Sequence, residues 1–392
     1  MERGERAEFE GVQARAEPAG AAGPPPEGLE PMPRVLLTRR QIIGSAVFIV
    51  LGVAFLYFIL PKLTGIGRTV HRIEGGDTWW IAIGVLFEVL SFAGYVVLFR
   101  VVFVRGQSRI GWRESYEITM AGLVATRLFA AAGAGGVAMT AWALRRSGME
   151  PRLVATRMVA FIVLLYVIYA GSLLLNGIGL GIGLLPGGGS FAITIVPAIV
   201  AAGLLGVAGA VALLPGDIER RLTQRASGSG RMAQWGARLA TVPALAASGV
   251  RAAIELIRER DVGLLGAVAW WGFDISVLWA MFHAFGSPPP FTVIWMAYFV
   301  GMLGNLLPLP GGLGGVEGGM IGAFAAFGVD VNLAVLAVLS YRAVSFWLPT
   351  IPGALAYFQL RRTVARWRDE QESARMPEAR AAPAPAGALQ GS

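Results

Sequence analysis

The chain has 392 residues, is 55% hydrophobic and 15% charged, and carries a formal net charge of +8 with a mean hydropathy of +0.61. Apolar runs of about 20 residues recur, each able to cross a ~30 Å hydrocarbon core as a helix, so the composition specifies a polytopic helical membrane protein. The basic excess sits in short segments between those runs, the pattern of membrane orientation, and without a soluble domain to form a groove it argues against nucleic acid as a partner. With no cysteine, disulfides, thiolate metal sites and cysteine nucleophiles are excluded. Two distant histidines, His71 and His283, argue against a metal cluster or a Ser-His-Asp triad, and no cofactor is expected. Lys62, the only lysine, follows a proline, which excludes a Walker-type phosphate loop.

In chain order, residues 1–33 mix Pro, Gly, Ala and charge without an apolar period and read as disordered, in a cytoplasmic N-terminal segment ending near 38. Residues 42–61 read as a retained signal anchor, since PKLTGIG after it offers no small-x-small cleavage site. Segments at about 79–104, 156–176, 191–214, 262–285 and 333–358 are also long enough to span. Two more stretches, about 116–145 and 291–328, are apolar but interrupted by glycine and proline. Either full crossings or re-entrant hairpins would fit them. The transmembrane domain is thus expected over 39–362, with half one at about 79–214, a basic linker at 216–261, half two at about 262–358, and a disordered cytoplasmic tail over 363–392. From Arg231 to Asp261, apolar residues recur at steps of three and four among arginines, which predicts an amphipathic helix on the cytoplasmic surface.

Arginines set the orientation. With the N-terminus inside, the cytoplasmic side receives Arg34, Arg39, Arg40, Arg105, Arg109, Arg113, Arg145, Arg146, Arg152, the linker, and Arg361, Arg362, Arg366 and Arg368. The other side receives Lys62, Arg68 and Arg72, while NGIGLGIGLLPGGG and GSPPP carry no charge. The protein is expected in the plasma (inner) membrane, crossing it several times, with both termini on the cytoplasmic side.

The most interrupted stretch, LPLPGGLGGVEGG at 307–319, has a counterpart. Without gaps, LFAAAGAGGV at 128–137 and LPLPGGLGGV at 307–316 share five of ten residues, three of them glycines. Upstream, Phe87-Glu88-Val89 answers Phe273-Asp274-Ile275; downstream, RMVAF at 157–161 answers RAVSF at 342–346. Three similarities in the same order imply an internal repeat. An odd number of reversals separates the halves, so the repeat is inverted, a common transporter plan. Its glycines either free backbone for a polar ligand or allow close helix packing.

Glu88 lies about 13 Å into its helix from Trp79, and Asp274 is similarly deep. A bare carboxylate there costs about 3 kcal/mol or more, so both should face the protein interior. Arg342 is the expected counter-ion, with Arg157 in the matching position; Arg127 and Glu317 flank the two breaker stretches. These six form either a charged path for a lipid headgroup or a coupling proton, or static pairs that fix helix packing.

PLPGGLGGVEGG, then Gly328-Val329, a helix containing SYR and a closing WLPTIPGALAY resemble the flippase-like transmembrane region of lysylphosphatidylglycerol synthases and its stand-alone relatives; AGAGGVAMTAWALRRSG resembles that family's first-half motif. The resemblance covers about residues 40–362. It implies an all-α polytopic membrane fold, with about six spanning helices plus two broken or re-entrant helix pairs, and a role in moving a lipid between leaflets. Multi-domain members add a soluble aminoacyltransferase domain; here a Pro- and Ala-rich tail follows the last span, so synthase activity is not transferred. Phe129 and Ala131 stand where the second motif has Pro308 and Pro310, which softens the first break.

The expected function is translocation of an amphipathic lipid, with the headgroup entering between the halves to meet Glu88, Asp274 and Arg342 and the backbone of Gly311, Gly312, Gly314 and Gly315. Expected partners are membrane lipids, a second copy of the chain, or a separately encoded lipid-pathway enzyme. The alternatives are a membrane-embedded lipid-modifying enzyme, for which no catalytic motif speaks, and a non-transporting scaffold.

Overall fold

The computed structural model describes residues 75–105, 109–128, 134–213, 231–307, 309 and 312–381, all within one compact unit, Leu37–Ser392. They contain helices and no strand. The expected disordered start and signal anchor at 42–61 lie outside the described residues.

Helix α1 (Thr78–Phe103) is opened by Asp77, whose side chain accepts from the Trp79 amide at 2.9 Å. Two shorter helices follow, α2 (Trp112–Leu128) and α3 (Ala134–Arg146), then the long α4 (Pro151–Gly181), which starts on a proline, and α5 (Phe191–Ala212). Helix α6 (Arg231–Arg258) is the predicted linker helix. It buries Ala247, Val250 and Ala253 and packs on α4 and α5. The second half runs through α7 (Leu265–Phe285), α8 (Phe291–Met302), α9 (Gly315–Ala326), α10 (Val331–Arg342) and α11 (Thr350–Ala381).

Five stretches are long and apolar enough to cross a membrane: Thr78–Phe103, Pro151–Gly181, Phe191–Ala212, Val262–Phe285 and Val331–Glu370. Their outer faces are apolar too, as at Leu204 (61% exposed) and Val207 (62% exposed) of α5. An aqueous protein would not leave such a surface, and lipid suits it.

The centre of the molecule is the pair α1 and α7. Asp77 N donates to Ala284 O at 3.0 Å, Phe87 stacks on Phe273 with centroids 5.9 Å apart, and Ser91 Oγ donates to Trp270 O at 2.8 Å. Partners rise along one helix as they fall along the other, so the two run antiparallel, with Glu88 and Asp274 at one level. Their backbones touch where a methyl on Gly94 would lie 3.0 Å from the Gly266 carbonyl and 2.7 Å from Ala269 Cβ.

Each interrupted stretch is a pair of short helices packed on each other, α2 with α3 and α8 with α9. The arms have 17, 13, 12 and 12 residues, each shorter than the ~20 residues that typically cross a hydrocarbon core as one helix. Glycines close both. A methyl on Gly122 would lie 3.6 Å from Gly136 O, one on Gly315 2.8 Å from Gly304 O, and one on Gly319 3.1 Å from Gly301 O. Gly136 and Gly315, aligned in the two motifs, thus each press on an earlier glycine, Gly136 on Gly122 of α2 and Gly315 on Gly304 in the 3-10 turn Leu303–Leu306 after α8.

Two expectations change. The 333–358 segment is not one regular helix: α10 passes into a π-helical turn, Ala343–Trp347, with Leu348 N donating to Ala343 O at 3.2 Å. Pro349, which lacks an N–H, forces the interruption. The disordered tail does not begin at 363 either, because α11 continues to Ala381. Leu360, Val364 and Trp367, spaced three and four apart, are buried, and Thr363 Oγ1 donates to the buried Glu117 Oε2 of α2 at 2.7 Å.

The turn from α6 into α7 is clasped by Arg105, which pairs with Glu259 and, at 2.6 Å, with Asp261, on either side of Arg260 at φ 54°. The Gly263 amide first, then Arg105, hold the Asp261 carboxyl below its usual range.

Gly94→Leu should destabilise the folded protein by about 1–3 kcal/mol through overpacking, read as a lower Tm of the detergent-purified chain. Asp261 gives stability that is complete above the usual carboxylate range and is lost as pH falls through its lowered value. With its side chain 35% exposed, it is worth about 0–1 kcal/mol, so the Tm gap between wild type and Asp261→Ala should hold near neutrality and close below about pH 4.

Candidate functional site

Six ionisable residues were singled out, and the fold gathers five of them. Glu88 on α1 (4% exposed), Asp274 on α7, Arg127 at the end of α2, Glu317 in the first turn of α9 and Arg342 at the end of α10 are all buried. The sixth, Arg157, stands apart: its Nη1 donates to Phe103 O at 3.0 Å, and Phe103 is about 22 Å along α1 from Glu88. A shared position in two sequence motifs did not carry Arg157 into the centre, because RMVAF opens α4 whereas RAVSF closes α10.

Each member has a local reason for its place. Glu317 Oε2 accepts from the Gly314 amide at 2.7 Å, the one half of a capping box that a glycine N-cap allows, and its Oε1 accepts from Arg342 Nε at 2.7 Å. Gly314 sits at φ 84°, a backbone region that glycine enters without a side-chain clash. The Gly312 amide donates to Leu309 O at 3.0 Å. The amides of Gly312 and Gly314 are therefore engaged within the protein, and Gly315 serves close packing. Pro308, Pro310 and Gly311 lie outside the described residues.

Arg127 mends the broken helix. A regular helix would have residue 349 donate to Ser345 O, but residue 349 is proline. Arg127 Nη2 fills that position at 2.8 Å, while Nη1 donates to Phe346 O and to Thr350 Oγ1, the latter at 2.8 Å. Both guanidinium groups lie against the Phe346 ring, Arg342 at 4.5 Å and Arg127 at 4.7 Å from its centroid.

Asp274 is held by two residues that the sequence reading passed over. The hydroxyls of Tyr298 and Tyr341 both donate to its Oδ2, the second at 2.9 Å, and both rings are fully buried. A tyrosine inside an apolar run such as WMAYFV signals a hydroxyl in need of a buried partner. Glu88 completes the set, level with Asp274 across the α1–α7 contact. Among the described residues no group of three or more His, Cys, Asp and Glu could hold a metal ion.

Such a centre, charged groups enclosed by apolar spans and fixed by two broken helix pairs, defines a polytopic helical membrane protein with an ionic interior. The family model described as the lysylphosphatidylglycerol synthase TM region matches residues 41–353, and the chain belongs to that family. It is similar to a UPF0104 membrane protein of Methanothermobacter thermautotrophicus, 35% identical over 109 residues that make up 28% of this chain and 31% of the relative. It is also similar to UPF0104 membrane protein MJ1595 of Methanocaldococcus jannaschii, 30% identical over 27% of this chain and 32% of the relative. The matched stretch thus spans about a third of the length of these relatives.

Arg127→Ala strands the Ser345 carbonyl inside the protein and should cost about 1–3 kcal/mol for each backbone group left unpaired. Adding Pro349→Ala returns an N–H to position 349. The double variant should recover about 1 kcal/mol or more of that loss in a double-mutant cycle on thermal or denaturant unfolding. Tyr341→Phe, which removes one donor from Asp274, should lower stability by about 1–3 kcal/mol in the same assay.

Proposed function

We propose that this protein moves an amphipathic lipid, a phospholipid or a lipid-linked precursor, between the leaflets of a plasma (inner) membrane with both termini in the cytoplasm. The observation that supports this is the meeting of both broken helix pairs at one charged centre: Arg127 ends the first arm of one pair, and Glu317 opens the second arm of the other. Irregular backbone at membrane depth is tolerated only where protein buries it or a cavity hydrates it, and inverted repeats bring such breaks together at the midplane. We take the antiparallel α1 and α7, with Glu88 facing Asp274, as the axis of such a repeat.

Local duties divide the candidates. Arg127 and Glu317 each hold backbone of a broken helix, Arg127 at Ser345 and Phe346 and Glu317 at Gly314, so their first role is to keep those helices in place. Glu88 and Asp274 do no such work and are the groups assigned to the translocation path, with Arg342 beside them to meet an anionic headgroup. The partners proposed are therefore membrane lipids; a second copy and a separately encoded lipid-pathway enzyme stand as further partners. Catalysis is not part of the proposal.

Full-length protein in liposomes containing labelled phospholipids or polyprenyl-linked lipids should exchange label between leaflets faster than empty vesicles. No excess exchange with any of these lipids would remove the transport reading. Recovery of a covalently altered lipid would replace it with an enzyme. An Asp274→Asn protein that assembles normally and retains full cellular function would replace it with a scaffold.

A further inference from the structure

Of the five buried side-chain atoms without a hydrogen-bond partner among the described residues, four belong to neutral groups, Trp142, Asn176, Trp295 and Ser340; the fifth is Glu88 Oε2. It is the single ionisable group in that set. A carboxylate oxygen enclosed in apolar protein with no donor is among the most costly arrangements a fold can hold. Its neighbour is no help, since Asp274 is also a carboxyl and its Oδ2 already accepts from Tyr298 and Tyr341. Two acceptors stand level across the α1–α7 contact, and neither gives the other a proton or a positive charge.

Charge counting says how much. Glu317 and Arg342 form a salt bridge at 2.7 Å and cancel. Arg127 is the cation left over in this count; its charge bears on Glu88, and both it and Arg342 bear on Asp274. With both carboxyls ionised the centre holds one negative charge too many, and one monovalent cation makes it neutral, whereas a divalent ion would reverse the imbalance. The absence of a third acidic or histidine ligand among the described residues points the same way.

From this geometry we infer that Glu88 and Asp274 form a binding site for one monovalent cation, a proton or Na⁺, carried in the contact between α1 and α7. The titratable and charged groups around it are Arg127 from α2, Tyr298 from α8, Tyr341 and Arg342 from α10, and Glu317 from α9 behind Arg342. The site rests on the transport reading for its role: release and uptake of the cation would change the charge presented to a headgroup, coupling lipid movement to an ion gradient. Its existence rests on the two carboxyls alone.

Glu88→Gln keeps the shape and supplies an amide donor to Asp274, so it should fold and lose the need for a cation. The test compares Tm of the full-length wild type and Glu88→Gln in detergent from pH 5 to 9, in NaCl and in choline chloride. A proton site predicts that wild type falls relative to the variant by about 2–4 °C or more as pH rises, in both salts. A Na⁺ site predicts that the fall occurs in choline and is repaired by Na⁺. Parallel curves for the two proteins in every condition overturn the site. A second measurement needs no variant: modification of Glu88 by an apolar carbodiimide, read by mass spectrometry, should decline as pH or Na⁺ rises. Labelling that is the same under all conditions, zero included, overturns the site as well. In liposomes, cation-dependent Tm without leaflet exchange keeps the site and removes lipid transport. Leaflet exchange without cation dependence of Tm or labelling keeps lipid transport and removes the site.

Discussion

Inside a hydrocarbon phase no water is at hand to satisfy a peptide group, so every place where a helix is broken must find its donors and acceptors in the protein. That constraint explains more of this molecule than any single contact. Pro349 removes one donor, and the carbonyl it strands is met by Arg127 from the other half of the chain. Gly314 turns the chain into α9, and Glu317 returns to its amide. Charged side chains at these positions are thus recruited by backbone defects, and their counter-charges follow: Arg342 is drawn to Glu317, and the Phe346 ring is covered by both guanidinium groups.

Glycine does complementary work. Close approach between α1 and α7 at Gly94 and Gly266, and within the second broken pair at Gly301 and Gly319, replaces side-chain packing by backbone contact. Lipid tails are as apolar as leucine, so burial of apolar surface gives membrane helices little reason to associate, and intimate packing must supply it. An ionic centre can persist only if its walls are held this tightly. Loosened walls would admit water and dissipate the electrostatics.

Much of this was legible in the sequence because hydropathy and helix length are local properties. The spans near Thr78–Phe103, Phe191–Ala212 and Val262–Phe285 follow directly from apolar runs, and the two interrupted stretches announce their breaks through glycine and proline. Glu88 and Asp274 were visible as charges at a depth where charge is expensive. What was hidden depends on register between distant elements. Nothing local says that Arg127 crosses to Ser345, that Tyr298 and Tyr341 converge on Asp274, or that Arg157 is left at the far end of α1. The end of α11 was misjudged because the many charges around Thr363, Val364 and Trp367 mask a buried stripe spaced at three and four residues.

The level pairing of Glu88 with Asp274 across antiparallel helices has an electrical consequence. Residues that face each other near the middle of two opposed spans lie at comparable depth from either membrane surface. A unit charge resident there experiences about half of the transmembrane potential, or about 1 kcal/mol per 100 mV, whichever side it arrives from. An ion bound at that depth would therefore feel the membrane voltage in two roughly equal steps, neither dominating the other.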